Sequence, residues 1–526
     1  MKRAIAIILT LALASPVAAQ TTALRANDFL DTLGVATHLV QGKVTQAQII
    51  SGLEYTGIRN IRDDATHNTA LSPTAFCAIH AQTGAMVDEL PIVDADPNNI
   101  ADTLKEYEGL AACGAMLVAE GPNEPNNFHF TYQGSTCDLV NSPAACAAYQ
   151  RDEYAAIKAD PNLAAYAVLS MTEVGAEGVN EGLQFLTVPS GTVMPVGTKY
   201  ADYANLHNYI VGTNGVLQDN RAWTAEAPAA PEQCCFDGMD GEFTHQTWAK
   251  HFAANTSTLP RVTTETGWKT GNNMSQDQQG KLLTNLYLSA FKRGWNATFI
   301  YMLKDEGTAT WGLYDSSYTP KLSATYIHYL TGVLADTNAS FTPDSLTYSI
   351  PNEPATVHDL LLEKGNRTFE LAVWNDQPTS ENPNKPVTVN LPQGFSTVNV
   401  YDVTSGTTPI ATYHNVTSVA LNLTDHAQII ELPYVCSPQI INPKAGSTVS
   451  GLVTVNVSDT GCVGNNNRLE VSGAGFSNHY DFKGTSYSWD STKAPSESLK
   501  MYVTAWDSKY LGQQGASPAI NVSVNN

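Results

Sequence analysis

From about residue 30 to residue 333, short apolar runs rich in Val, Ile and Ala alternate with stretches of helical period. Runs that are apolar on both faces read as parallel strands joined by crossover helices. The predicted strands are "LGVATHLV", "IRNIRDD", "AMVDELPIV", "GAMLVAEG", "AAYAVLSMTEV", "ADYANLHNYI", "RVTTETGW" and "ATFIYMLKD". Helix starts are marked between them by Asp96-Pro97, by Ser142-Pro143 and by Ser275. Eight strands with intervening helices over this length predict an α/β fold, a (β/α)8 TIM barrel, rather than an open sheet.

Beyond "YIHYLTGVLAD" the period changes to two. "RTFELAVWND", "KPVTVNL", "STVNVYDV" and "SVALNLTDHAQIIEL" alternate apolar and polar residues between Pro, Gly and Asn turns, predicting a β-sandwich over 334–435. From Cys436 onward, "IINPKAGSTVSGLVTVNVSDTG", "ESLKMYVTAWDSKY" and "PAINVSVNN" predict a second all-β unit, 436–526, which looks like a bacterial immunoglobulin-like domain.

The first twenty residues carry Lys2-Arg3, an apolar run from Ala4 and the small-residue stretch "SPVAAQ". They read as a signal peptide over 1–20, cleaved near Ala19, which leaves the barrel as 21–333 and predicts a secreted or periplasmic protein. No other stretch is long and apolar enough to span a bilayer, so no membrane attachment is expected after cleavage. Lys and Arg number 28 against 50 Asp and Glu, a net charge of -22, which disfavours nucleic acid and anionic lipid as partners and leaves neutral ligands open. Eight cysteines in an exported chain point to disulfides. Paired C-x-x-C motifs, H-E-x-x-H, a Gly-rich phosphate loop and G-x-S-x-G are all missing, so no metal and no cofactor is expected.

Candidate chemistry sits at the strand ends. Such barrels carry their working groups at the carboxyl ends of the strands, and "GPNEP" places Glu124 just past the fourth. "RVTTETGW" interrupts a β-branched run with Glu265 at the end of the seventh, across the barrel mouth. Two carboxyl groups facing one another over a cleft for a neutral substrate suit glycoside hydrolysis, one protonated to donate to the leaving oxygen and one ionised to attack. Asn123 is placed to bond a sugar 2-hydroxyl.

With "PNEP" after the fourth strand, "HNY" after the sixth, "TETGW" at the seventh and "GIRNIRDD" around the second, residues 30–333 resemble the clan A retaining glycoside hydrolases. The opening "LGVATHL" and the "IRDD" stretch are most similar to family 39 and its exopolysaccharide-hydrolase relatives, with family 5 next. The resemblance implies Glu124 as acid/base, Asn123 as its sugar-binding neighbour and Glu265 as nucleophile. It further implies Arg62 as an ion-pair partner that keeps Glu265 ionised, with His207 and Tyr209 as the sixth-strand pair and Tyr209 donating to Glu265. Where many relatives carry a tryptophan after the eighth strand, this chain reads "IYMLKDEGTATWG", which leaves Tyr301 or Trp311 as the sugar platform. Because relatives place the acid directly after the asparagine, Glu120 is read as a supporting residue.

Several positions keep two readings. His38 is either a sugar contact or a core hydrogen-bonding residue, and Trp268 either stacks on a sugar, the preferred reading, or closes the barrel rim. His67 is expected to be an ordinary loop residue, and Asp63 and Asp64 to be solvated. The function expected is a monomeric, secreted β-glycosidase acting on a poly- or oligosaccharide, with "YQGSTCDLVNSPAACAAY" and residues 188–199 as cleft walls that favour endo action. A transglycosylase with the same two glutamates and a non-catalytic carbohydrate-binding protein are the alternatives. Expected disulfides are Cys436–Cys462, Cys137–Cys146 and Cys77–Cys113, with Cys234 and Cys235 either bonded to each other or free. The terminal unit is expected to be dispensable for chemistry.

Overall fold

The computed structural model describes residues 20–93, 99–125, 127–138, 142–172, 199–207, 209, 259–271, 274–336, 340–376, 384–433, 438–458, 466–506 and 513–526. The expected signal peptide, Cys234, Cys235, Cys436 and Cys462 lie outside these residues, as does the proposed wall 188–199 except for Lys199.

Seven parallel strands form one curled sheet. In spatial order they are Met116–Ala119, Met86–Leu90, Asn60–Asp64, Leu33–Ala36, Trp295–Ile300, Arg261–Thr266 and Ala204–Leu206. The eighth position is filled differently from the sequence expectation. "AAYAVLSMTEV" forms no regular strand, only parallel bridges from Val168 to Ala119 and from Leu169 to Tyr203. Those bridges return the sheet on itself as a TIM-like barrel. A side chain supplements these bridges: Gln150 accepts from the Met171 N–H (2.9 Å) and donates to the carbonyls of Leu169 (3.3 Å) and Tyr200 (3.0 Å).

Local chemistry explains the helices. Thr45 and Ser275 each form a capping box, with Gln48 and Gln278 respectively, and start helices Gln46–Thr56 and Gln276–Lys292. Pro143 occupies the first turn of helix Pro143–Ala159, where its missing N–H costs no hydrogen bond. Cys77 and Cys113 join helices Thr74–Thr83 and Asn99–Cys113 as expected, and Cys137 pairs with Cys146. Among the described residues no helix is long and apolar enough to cross a membrane.

The second sheet runs Ala411–Leu423, Lys385–Asp402, Gln428–Leu432, Phe369–Asn375 and Val357–Glu363, all antiparallel, and ends with Leu24–Arg25 in parallel pairing. Gln20–Thr22 pairs with Ser345–Thr347, so the start of the described chain joins segments more than 300 residues away. Strand period two divides the work of this sheet. Leu360, Leu362, Ala372 and Trp374 pack into the barrel's core, while Leu361, Leu371 and Val373 face a separate core with Val389, Val400 and Ile430. Every residue of Phe369–Asn375 is therefore buried. Past residue 438, strands form two further sheets around a third core that contains Trp489, Leu499 and Val503.

Candidate active site

The residues singled out by sequence converge at the carboxyl ends of the parallel strands. Arg62, buried on the second strand, is the hub. Its Nη1 donates to Glu265 Oε1 (2.7 Å), its Nε to Glu120 Oε2 (2.6 Å), and its Nη2 to both Glu120 Oε1 (3.0 Å) and Asn123 Oδ1 (2.9 Å). Burial by itself would lower the Arg62 pKa, but the charges of Glu120 and Glu265 outweigh it and leave the guanidinium firmly protonated. Tyr209 donates to Glu265 Oε2 at 2.7 Å, and burial together with the charges of Glu265 and Glu124 keeps its phenol protonated. Burial also acts against an ionised Glu265. His207, Arg62 and the Tyr209 hydrogen bond overcome it, holding the carboxyl below its ordinary range.

Glu124 faces this cluster from the loop after Met116–Ala119. One oxygen each of Glu124 and Glu265 and a ring nitrogen of His207 all lie within 4.8 Å of one another. That trio is close enough to share a cation, but both Glu265 oxygens already accept from Arg62 and Tyr209. His207 Nδ1 is 2.7 Å from Glu124 Oε1 and 3.6 Å from Glu265 Oε2. The Thr264 hydroxyl is 2.8 Å from Glu120 Oε1 and donates its one proton there, so the His207 Nε2–H donates to the Thr264 oxygen at 3.1 Å. Nδ1 is thus the ring nitrogen that faces Glu124. Glu124 itself has φ 41°, a left-handed conformation that a non-glycine residue adopts at some cost in strain.

Gly121 lets this loop form. A Cβ there would lie 2.1 Å from Gln150 Oε1 and 2.6 Å from the Met171 nitrogen, so only glycine lets the chain pass beneath the helix and turn up to Glu124.

In fold, the chain is similar to a family 39 glycoside hydrolase. That protein, from the gut symbiont Bacteroides cellulosilyticus, superposes with a TM-score of 0.52 at 14% identity, covering 77% of this chain and 82% of its own. A family 39 enzyme from Xanthomonas axonopodis pv. citri (TM-score 0.47, 16% identity, 78% and 96% covered) and a family 39 β-xylosidase from Caulobacter crescentus (0.46, 14%, 79% and 98%) are further structural neighbours. No family model matches the chain, and no curated protein matches it either.

The aromatic residues gather on the Glu265 side. The Trp311 ring centroid lies 5.1 Å from that of Trp268, 5.2 Å from Tyr209 and 5.8 Å from Tyr301, each edge to face. His38 (φ 65°) closes the rim beside Tyr301, with Nδ1 2.6 Å from Glu306 Oε1, so its partner is a carboxylate from the segment after the last barrel strand. His67 is half-exposed near Asp102. Asp63 departs from the expectation of a solvated acid. It is buried and accepts from the Thr37 hydroxyl and the Leu39 N–H, each at 2.5 Å, which pins the loop that carries His38.

Sequence reasoning missed Asn205, Thr264 and Asp88. Asn205 donates to Glu120 Oε1 at 3.0 Å and has the same strand parity as His207 and Tyr209, a signal that was there to be read. Thr264 had no such signal. Period two would send Thr264 and Glu265 to opposite faces, but the register against Trp295–Ile300 shifts between Thr263 and Thr266, and both side chains reach the site. Asp88 pairs in register with Arg62 and is fully buried beneath the cluster; burial and the neighbouring charge of Glu120 raise its pKa well above its ordinary value.

Proposed function

We propose that the chain is a secreted retaining β-glycoside hydrolase acting on a poly- or oligosaccharide, with Glu265 as nucleophile and Glu124 as acid/base. The observation that carries this reading is that one carboxyl oxygen of Glu124 lies within 4.8 Å of one of Glu265, in unequal surroundings. Retaining pairs stand about 5–5.5 Å apart, and inverting pairs need about 6.5–9.5 Å to admit a water. Glu265 is held ionised by a guanidinium and a phenol, whereas Glu124 has no Lys or Arg bonded to it among the described residues and faces the ring nitrogen Nδ1 of His207.

In the first step a Glu265 oxygen attacks the anomeric carbon as the glycosidic C–O bond breaks, and Glu124 passes its proton to the departing oxygen. A glycosyl ester and a free alcohol result. In the second, Glu124 takes a proton from water, the water oxygen bonds to the anomeric carbon, and Glu265 leaves as carboxylate. The sugar is released with its original anomeric configuration. Asn123, held by Arg62, is the 2-hydroxyl partner, and Trp268, Trp311 and Tyr301 form the wall against the reacting sugar. Around this barrel (21–333) the proposal sets a signal peptide (1–20), a β-sandwich (334–435) and an immunoglobulin-like unit (436–526).

Azide tests the roles. Glu124→Ala should still form the intermediate from a substrate whose leaving group needs no proton, and added azide should then give the β-azide. Glu265→Ala should yield only the α-azide. Wild-type turnover in both variants would sink the proposal, and exchanged anomers would exchange the roles.

A further inference from the structure

Most phenylalanines of the described chain are buried or half-buried, whereas Phe128, four residues past Glu124, is 58% exposed. Its position is fixed by Glu124 itself. The N–H groups of Asn127 (2.7 Å) and Phe128 (2.8 Å) both donate to the Glu124 carbonyl, closing a tight turn, and the Asn127 amide lies 3.4 Å from Glu124 Oε2. The far side of the turn is equally constrained. Phe130–Tyr132 and Ser135–Cys137 form a hairpin whose turn residues, Gln133 and Gly134, both have positive φ (50° and 77°), as a two-residue hairpin turn requires. Phe130 is buried edge-on against Tyr149 at 5.2 Å, Tyr132 meets the same ring at 5.1 Å, and Cys137 is bonded to Cys146 on helix Pro143–Ala159. An anchored hairpin on one side and the acid/base on the other thus hold the backbone of an aromatic residue whose side chain the protein itself leaves more than half uncovered. Aromatic side chains held in this way bind at low ordering cost.

The two ends of the site then divide. Among the described residues, Tyr209, Trp268 and Trp311 cluster on the nucleophile side, and Phe128 is an exposed aromatic on the acid/base side. An acid that protonates the leaving oxygen has the leaving group next to it.

We infer that Phe128 is the platform for the leaving-group sugar, stacking on the apolar face of the β-linked pyranose just beyond the cleaved bond. This rests on the glycosidase reading above. It assigns the enzyme a subsite on the leaving side, so that its preferred substrates are chains of sugars rather than glycosides of small alcohols, and incoming sugars are received on the same surface.

The test compares two substrates of one sugar: a β-glycosyl fluoride, whose leaving group has no ring, and the β-1,4-linked disaccharide. Glucose, xylose and mannose pairs are screened with wild type, and the accepted pair is used for Phe128→Ala and Phe128→Trp. The ratio of kcat/KM on disaccharide to kcat/KM on fluoride should fall about tenfold in Phe128→Ala, the scale of one lost aromatic contact, and recover in Phe128→Trp. Because it is a ratio, it is unaffected by a loss of folded protein. An unchanged ratio in Phe128→Ala overturns the inference while leaving the glycosidase reading intact. Wild type inert on every pair removes both.

Discussion

Replacing Tyr209 by phenylalanine removes one hydroxyl from a carboxylate that has two direct donors. Tyr209 reaches Glu265 Oε2 at 2.7 Å and Arg62 Nη1 reaches Oε1 at 2.7 Å, so the variant keeps the ion pair and loses one charge-assisted hydrogen bond. Such a bond is worth about 1.5–3 kcal/mol, or roughly ten- to a hundredfold in rate if it acts at a transition state. In the proposed mechanism Glu265 gains negative charge as it leaves in the second step, and the phenol stabilises that charge; in the first step the carboxylate loses charge and the bond weakens. Tyr209→Phe should therefore slow the second step by about that factor and affect the first step less. Stopped-flow release of dinitrophenolate from an aryl β-glycoside should show a burst close to one equivalent, then a slow steady state. The pH profile gives an independent sign. Burial raises the Glu265 pKa, while His207, Arg62 and Tyr209 lower it further than burial raises it; without the Tyr209 contribution it moves up, and the acid limb of kcat/KM moves to higher pH. Equal losses in kcat and kcat/KM with no burst, or an acid limb displaced to lower pH, would refute the reasoning.

Glu120→Gln should destabilise the protein by about 3–5 kcal/mol, because Glu120 is surrounded by donors from Arg62, Asn205 and Thr264 and an amide offers only one accepting oxygen. A thermal melt equal to wild type would refute this role for Glu120. His426 lies buried between Asp402 and Asp425; burial lowers its pKa, but those partners raise it from 6.5 to about 9. Its contribution, up to about 3 kcal/mol, is complete below the unfolded value and disappears as pH rises through the folded one. Wild-type melting temperature should thus fall between neutral pH and pH above 9 more steeply than that of His426→Gln, and parallel curves would remove the assignment.

Much of the barrel was legible because its signals are local. Strand runs, Ser275 and Pro143 at helix starts and the placing of Glu124 and Glu265 at the fourth and seventh strand ends depend on residues near in sequence, and seven of the expected strands occur close to where the apolar pattern puts them. The fifth is shorter than its apolar run suggests: backbone bonds hold it only around Val168 and Leu169, and beyond them the Gln150 side chain takes the Met171 N–H and the Leu169 carbonyl. A periodicity cannot report a hydrogen bond made by a residue on another element.

The sequence by itself determined which residue types stand at the strand ends, and through strand parity it placed Asn205, His207 and Tyr209 on one face. Only the tertiary structure decided how their charges are shared. The register shift beside Thr264 turns two consecutive side chains inward, barrel curvature brings Arg62 onto both Glu120 and Glu265, and burial raises the pKa of Asp88 while His207, Arg62 and Tyr209 hold that of Glu265 down against it. The physical reason is range. Secondary-structure preference acts over a few residues, whereas desolvation and Coulomb interaction depend on distances between segments far apart in sequence, such as Arg62 and Glu265, which are 203 residues apart.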